Sequence, residues 1–276
     1  MSDLRTRIEA LVATPDLDRA AALPVLGDFL DALDAGEVRS AERAEDGTWH
    51  ANGWVKQGIL LGFRLGEIVD QSEGAFRFFD KDTYPTKPMT LADGVRVVPG
   101  GSTIRRGAHL ARGVVCMPPM YVNVGAYVDA GTMVDSHALV GSCAQIGKHV
   151  HLSAAAQIGG VLEPVGAVPV VVEDHVFVGG GCGVYEGCVV REGAVLAAGV
   201  ILTGSSRVYD LVNEIIHTRG ESGQLEIPAG AVVVPGSRTV SSEFGQQHGL
   251  ALAAPVIVKY RDASTDAAPA HEGALR

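Results

Sequence analysis

Aliphatic residues recur every six positions along most of this chain. From Val98 the register reads Val98, Ile104, Leu110, Cys116, Val122, Val128, Val134, Val140, Ile146, Leu152 and Ile158 without a miss. The segment "GGVLEPVGAVP" shifts the phase by two. A second register follows: Val172, Val178, Val184, Val190, Leu196, Leu202 and Val208. A polar excursion, "DLVNEIIHTRGESGQLE", interrupts it before Ile227 and Val233 restore it. Neither a 3.6-residue helical period nor plain strand alternation produces this beat. Small or apolar residues stand four places after most beats, among them Ala108, Val114, Ala126, Ala144 and Cys182, and glycine is frequent three places after. Glycine there suits a corner with positive φ. Each hexad therefore predicts a short strand and a corner, with side chains alternating inward and outward across the strand. Three hexads close one triangular coil, and stacked coils bury one continuous core. The expected fold class is mainly β: a parallel β-helix of hexapeptide repeats over residues 96–240, with an excursion at 209–226.

The flanks read differently. Leu4, Ile8, Leu11 and Val12 recur at helical spacing; Pro15 breaks that pattern, and a second helix is predicted from about Asp18 to Leu33, interrupted near Pro24 and stopped at Gly36. "GWVKQGILLGFRLGE" reads as a buried helix or strand, and 70–95 as a connecting segment. Residues 1–95 thus form a small, mostly helical N-terminal domain with its connector. Residues 241–276 form a C-terminal segment ending in the small, polar "RDASTDAAPAHEGALR", predicted to be disordered.

Composition narrows the function classes. The net charge of −10 argues against nucleic-acid binding, although arginines gathered locally, as at Arg105, Arg106 and Arg112, suit an anionic small molecule. No apolar run approaches the roughly 20 residues of a membrane span, and the N-terminus lacks a signal-peptide core, so a cytoplasmic address is expected. The four cysteines form no CxxC pair and read as apolar fillers; no metal-ligand spacing occurs.

The residue after each beat is expected to face outward. Every third entry of that column shares a face: Arg105, Asn123, Gly141 and Gly159 on one, Ala111, Asp129 and Gly147 on the next, Met117, Asp135 and Ser153 on the third. The glycines leave bare backbone, which either suits a long thin ligand or a second chain, or simply relieves crowding. Flat faces of this kind are commonly covered by symmetric assembly, and a three-sided prism lends itself to a trimer.

The strings "GAYVDAGTMVDSHALVGSCAQIGKHVHLSAAAQIGGVLEP", "RVVPGGSTIRRGAHLA", "FFDK", "WVKQGILLGFR" and "IPAGAVVVPG…PVIVK" resemble the tetrahydrodipicolinate N-succinyltransferase family of hexapeptide-repeat acyltransferases, from about Asp31 to Lys259. The resemblance implies a left-handed coil, a homotrimer with sites between subunits, and lysine and diaminopimelate biosynthesis. It also implies succinyl-CoA as co-substrate, with no permanently bound cofactor, and an amino dicarboxylate acceptor. It makes Asp135 of the "MVD" motif the catalytic candidate and Arg96 of "RVVP" a substrate-binding one. A carboxylate can take the proton of the attacking amine, orient that amine, or attack the thioester itself; the residues leave these open. An oxyanion wants N–H donors, for which bare backbone at Gly141, Gly159 or Gly160 is suggested. Lys259 is a candidate for the phosphates of CoA. Family members often read "GARSEVVEG" where this chain has "GGGCGVYEG", so Gly183 replaces a glutamate implied for the acceptor site and Glu186 keeps the second. Two further readings stand beside this one: a paralogue that acetylates or succinylates a related amino acid in specialised, tabtoxin-like metabolism, and a non-catalytic β-helix scaffold.

Overall fold

The structure is a computed structural model and describes residues 2–220 and 223–262. All but the first two residues of the predicted disordered tail lie outside the described residues. Helix α1 spans Ser2–Val12, α2 spans Arg19–Ala35 and α3 spans Gly53–Leu65. Asp18 caps α2 by accepting the Ala20 N–H, Gly36 ends it in the left-handed region, and Pro24 sits inside it without breaking it. The stretch whose period left helix and strand open is α3; its buried face (Val55, Ile59, Leu61, Leu65) packs with Phe29, Leu30 and Leu33 of α2.

The six-residue beat is a stack of two-residue strands in three parallel sheets. The first face runs from His109–Leu110 through Tyr127–Val128, Gln145–Ile146, Val171–Val172 and Val189–Val190 to Glu226–Ile227. The second face holds Arg96–Val97, Val115–Cys116, Met133–Val134, His151–Leu152, Phe177–Val178 and Val195–Leu196. The third holds Thr103–Ile104, Tyr121–Val122, Leu139–Val140, Gln157–Ile158, Gly183–Val184 and Ile201–Leu202. The chain visits third, first and second faces in turn, making one coil. Val122, Val128, Val134, Val140, Ile146 and Leu152 are fully buried, each worth about 1.5–3 kcal/mol. The position four after the beat joins them: Ala108, Ala126, Ala144, Cys182 and Ala194 belong to the same core. The glycines three after a beat have positive φ, except Gly236 within the strand Ala231–Thr239, as do His137, Cys143, His149, Ala155 and His175 in the equivalent corners.

The beat at Val98 is corrected. The first strand is Arg96–Val97, and Val97, not Val98, pairs with Cys116. The turn through Gly100 and Gly101, both at positive φ, is one residue longer than a hexad. Val97 also lies at the open end of the stack, where no coil below covers it, and is exposed.

Two insertions leave the prism. The phase slip is a loop, residues 159–170, pinned by the buried Lys56 of α3, which donates to Ala167 O. Desolvation lowers the Lys56 pKa. The polar excursion is a hairpin, Val208–Asp210 with Ile215–His217, seated on the second-face sheet beside Ala251–Tyr260. That strand itself returns antiparallel along Ala231–Thr239, so the C-terminal segment is one long hairpin. No helix among the described residues is long and apolar enough to cross a membrane.

Asp210 locks the excursion. Its buried carboxylate accepts from Tyr260 Oη at 2.7 Å, Asn213 Nδ2 at 2.9 Å and the Val212 N–H at 2.9 Å. Burial alone would raise its pKa, but these hydrogen bonds outweigh it and hold the carboxyl below the ordinary aspartate range. A depressed folded-state pKa stabilises the fold above the unfolded value of about 4 and loses that contribution as pH falls below it. Asp210→Asn is therefore expected to cost about 1–3 kcal/mol at pH 7, with the gap to wild type narrowing below about pH 4. Urea midpoints from pH 7 to pH 3 check this; a gap that stays constant refutes it.

Candidate active site

Asp135 opens the corner between the second and third faces. Its N–H donates to Leu152 O of the coil above at 2.9 Å, and its Oδ1 accepts the Ser136 N–H at 2.6 Å. The side chain is half-buried, flanked in its column by Met117 below and Ser153 above. Arg96 is exposed on the second face, two strands below Met133, a separation of about 10 Å at ordinary strand spacing. The fold thus puts a carboxylate and a guanidinium on one face of the prism, although 39 positions separate them in the chain.

Gly141, Gly159 and Glu186 stand at a different edge, the corner between the third and first faces. Gly159 and Glu186 line one cleft of about 790 Å³, with Gly160, Glu163, Tyr185, Thr203 and Arg219. Glu186 has positive φ (53°) and accepts the Gly204 N–H at 3.0 Å, so a turn holds it at the rim. The proposed N–H donors are redistributed. Gly141 N–H donates to Ile158 O and Gly159 N–H to Val184 O, each at 2.8 Å, so both are consumed by the coil ladder. The space beside Gly141 is filled as well: a Cβ there would lie 2.2 Å from Gly160 N. At Gly141 the glycine relieves crowding. Of the three, Gly160, an exposed residue, is the one whose N–H has no backbone acceptor among the described residues. Lys259 is part-exposed on the C-terminal hairpin, 3.4 Å from Asp262, and does not line this cleft.

Two comparisons with known sequences bear on this arrangement. Residues 3–65 match the family model for the tetrahydrodipicolinate N-succinyltransferase N-terminal region, and residues 169–204 match that for the hexapeptide repeat of succinyl-transferase. A Leptothrix cholodnii protein named 2,3,4,5-tetrahydropyridine-2,6-dicarboxylate N-succinyltransferase is 45% identical over 97% of this chain and 93% of its own length. A Bordetella pertussis protein of the same name is 47% identical over 90% and 87%. The chain belongs to the tetrahydrodipicolinate N-succinyltransferase family. Among solved structures, a Campylobacter jejuni protein described as a 2,3,4,5-tetrahydropyridine-2-carboxylate N-succinyltransferase superposes with a TM-score of 0.54 at 18% identity. The match covers 84% of this chain but 62% of that one, under two thirds of its length, and speaks for the fold alone.

At Gly183, where the resemblance leads one to expect a glutamate, the structure leaves no room for a side chain. A Cβ at Gly183 would lie 2.4 Å from Tyr185 Cε2, and one at Gly159 2.7 Å from Tyr185 Cδ1. The Tyr185 ring therefore lies against both glycines and occupies the space a side chain at 183 would need. The outward column, carried into the second register, runs Glu173, Gly179, Tyr185, Arg191, Ala197, Thr203. It places Tyr185 and Thr203 on the face of Gly159, so both were readable from the beat. Arg219 was not, because it lies in the excursion.

The arginine cluster at 105–112 is structural. Arg105 pairs with Asp80, Arg106 with Asp31 at 2.7 Å, and Arg112 donates to Ala92 O at 2.9 Å. All three hold the N-terminal segments to the coil instead of gathering an anion. The cysteines are buried and free, and desolvation pushes the thiols of Cys116 and Cys188 up to about 12, so neither is a nucleophile at neutral pH.

Proposed function

We propose that this chain transfers the succinyl group of succinyl-CoA to the amine of a ring-opened tetrahydropyridine dicarboxylate, in lysine and diaminopimelate biosynthesis. The observation that carries the reading is 45% identity over nearly the full length to a protein of that activity's name. In the proposed reaction the neutral amine attacks the thioester carbonyl and an N–C bond forms. Asp135 takes the proton from the attacking nitrogen, the C–S bond breaks, and Asp135 returns that proton to the departing sulfur, so CoA leaves as the thiol. Arg96 binds a carboxylate of the acceptor. Gly160 N–H is the backbone donor left for the oxyanion.

We also propose a left-handed coil, which suits corner residues held in the left-handed backbone region, and a homotrimer. Asp135 and Glu186 lie on opposite edges of the third face, so one acceptor touches both only when a second copy brings its own edge alongside. Residues 1–95 act as a separate unit covering the first face, where Trp49 Nε1 donates to the buried Glu173 at 2.9 Å. Four buried, unpaired cysteines fit a cytoplasmic setting.

Tyr185 over Gly159 and Gly183 favours a second reading, a related amino acid as acceptor. A thiol-release assay separates the two. Succinyl-CoA and acetyl-CoA are each offered with tetrahydrodipicolinate, L-2-aminopimelate and a tabtoxin-like amino acid. The first reading expects succinyl-CoA with tetrahydrodipicolinate to turn over fastest, by tenfold or more on the scale of one mismatched polar contact. Faster turnover of the tabtoxin-like acceptor selects the second, and silence in every arm overturns both.

A further inference from the structure

Both insertions that leave the prism meet at one place, the cleft of about 790 Å³ beside Glu186. The loop 159–170 supplies one wall, with Gly160, Glu163 and Ala167; the end of the excursion supplies the other, with Arg219, Gly223 and Gln224. Arg219 is the one cation lining this cleft among the described residues. Elsewhere in this acidic chain Arg19, Arg105, Arg106 and Arg191 reach carboxylates. Arg219 has no ion-pair or hydrogen-bond partner among the described residues. It is held in place all the same. A Cβ at Gly204 would lie 3.1 Å from Arg219 Cζ and nearer still to Nη2, so the guanidinium rests directly on bare backbone. The turn after Arg219 is closed by the Gly220 N–H, which donates to Gln224 O at 2.9 Å. Gln224 is buried, and its Nε2 donates to Trp49 O at 3.4 Å. Gly204 also donates its N–H to Glu186 Oε2 at 3.0 Å. A guanidinium and a carboxylate therefore share one residue as their base with no ion pair between them, and the planar fork of Arg219 stays open to a ligand.

The charge of the reactants identifies that ligand. The reaction proposed above unites a succinyl group with an amino dicarboxylate, so it brings together a donor carboxylate and both carboxylates of the acceptor, and Arg96 accounts for one of them. The protein adds carboxylates of its own: Glu163 and Glu186 line this cleft, and Asp135 stands on the edge that a second copy would bring alongside. Like charges gathered in one cleft repel, and a carboxylate taken out of water needs a partner. We propose that Arg219 binds a substrate carboxylate bidentately and is a specificity-determining residue of this transferase. Two carboxylates share that chemistry: the one at the far end of the acceptor and the terminal one of the succinyl group. The assignment rests on the succinyl-transfer reading above and goes beyond it in naming the cation that selects a carboxylated substrate.

The test is thiol-release kinetics of the full chain, beside calorimetric titration, with substrates matched in pairs. Succinyl-CoA and acetyl-CoA differ by the donor's carboxylate; L-2-aminopimelate and L-2-aminoheptanoate differ by the acceptor's far one. Arg219→Gln is expected to lower the preference for the carboxylated member of one pair, as a ratio of kcat/KM, by about tenfold or more, the scale of one charged hydrogen-bonded contact. The change should fall on KM and spare kcat. Whichever pair responds tells the donor's carboxylate from the acceptor's. Arg219→Lys keeps the charge without the fork and should recover part of the preference. Both preferences unmoved in Arg219→Gln overturn the assignment and leave the reaction standing. An equal loss on both members of each pair overturns it too, since a merely structural role does not distinguish them. If the wild type turns over none of the substrates, the titrations decide. Arg219-dependent binding of one carboxylated member then supports the assignment and overturns the reaction, whereas no binding, or binding indifferent to Arg219, overturns both.

Discussion

Asp135→Asn is expected to lower turnover with succinyl-CoA and tetrahydrodipicolinate by about 10²–10⁴-fold, the ordinary worth of a positioned general base. The substitution is nearly isosteric. An asparagine oxygen still accepts the Ser136 N–H that Asp135 Oδ1 accepts at 2.6 Å, and the backbone bond to Leu152 O is untouched. Folding should therefore be indifferent, with a thermal midpoint within about a degree, as for a surface change of under 0.5 kcal/mol. The amide has no proton affinity to offer the attacking amine, so the loss should fall on kcat. Full turnover by this variant would remove Asp135 from the chemistry and leave it a solvated corner residue. A loss accompanied by a large drop in the melting temperature would show instead that the carboxylate maintains the corner.

The second large effect is restoration. Glu186→Gln is expected to lower activity by about tenfold or more, through loss of a charged contact to the acceptor. When Asp135→Asn and Glu186→Gln chains are unfolded together and refolded as a mixture, activity should reappear at about one quarter of wild type. The reasoning is geometric. If each site takes its aspartate from one chain and its glutamate from a neighbour, random assembly of a closed ring gives about one site in four both intact residues. If both residues of a site come from one chain, no mixture contains an intact site and activity stays at the level of the separate variants. Asp135 and Glu186 begin two different corners of a coil with the whole third face between them, which makes the first outcome the expected one.

How much of this was legible in advance can be argued residue by residue. The hexad beat located nearly every rung strand, because each rung repeats one local instruction: an aliphatic residue inward, a small residue four places on, and a corner that tolerates positive φ. It failed at Val98, where the stack ends and no lower coil enforces the register. It also placed Asp135, since the period puts the residue after Val134 outward; Arg96 was named through the resemblance of "RVVP" alone, because a beat begun at Val98 misses the first rung. The glycines misled. Bare backbone at Gly141 looked like room for a ligand, but the chain of the coil above fills it, a fact about the inserted loop 159–170 and its Gly160 that no column of the repeat contains.

The arginines make the same point from the other side. Clustering in sequence drew attention to Arg105, Arg106 and Arg112, yet Asp80, Asp31 and Ala92 O, from the N-terminal segments, take all three. Arg219, unremarkable in sequence, lines the cleft beside Glu186 and has no ion-pair or hydrogen-bond partner among the described residues. Whether a charge is paired depends on which distant segment lands next to it.

The sequence by itself therefore determined the prism, its three faces, the edge on which Asp135 stands and the family to which the chain belongs. These follow from a period enforced at each step by burial and backbone geometry over a few residues. Only the tertiary structure decided which outward positions stay open, which cations are paired, and where the cleft beside Glu186 lies. Those depend on contacts between segments tens to hundreds of residues apart, brought together by the loop at 159–170, the excursion and the returning C-terminal hairpin, and nothing in a local pattern specifies where such segments come to rest.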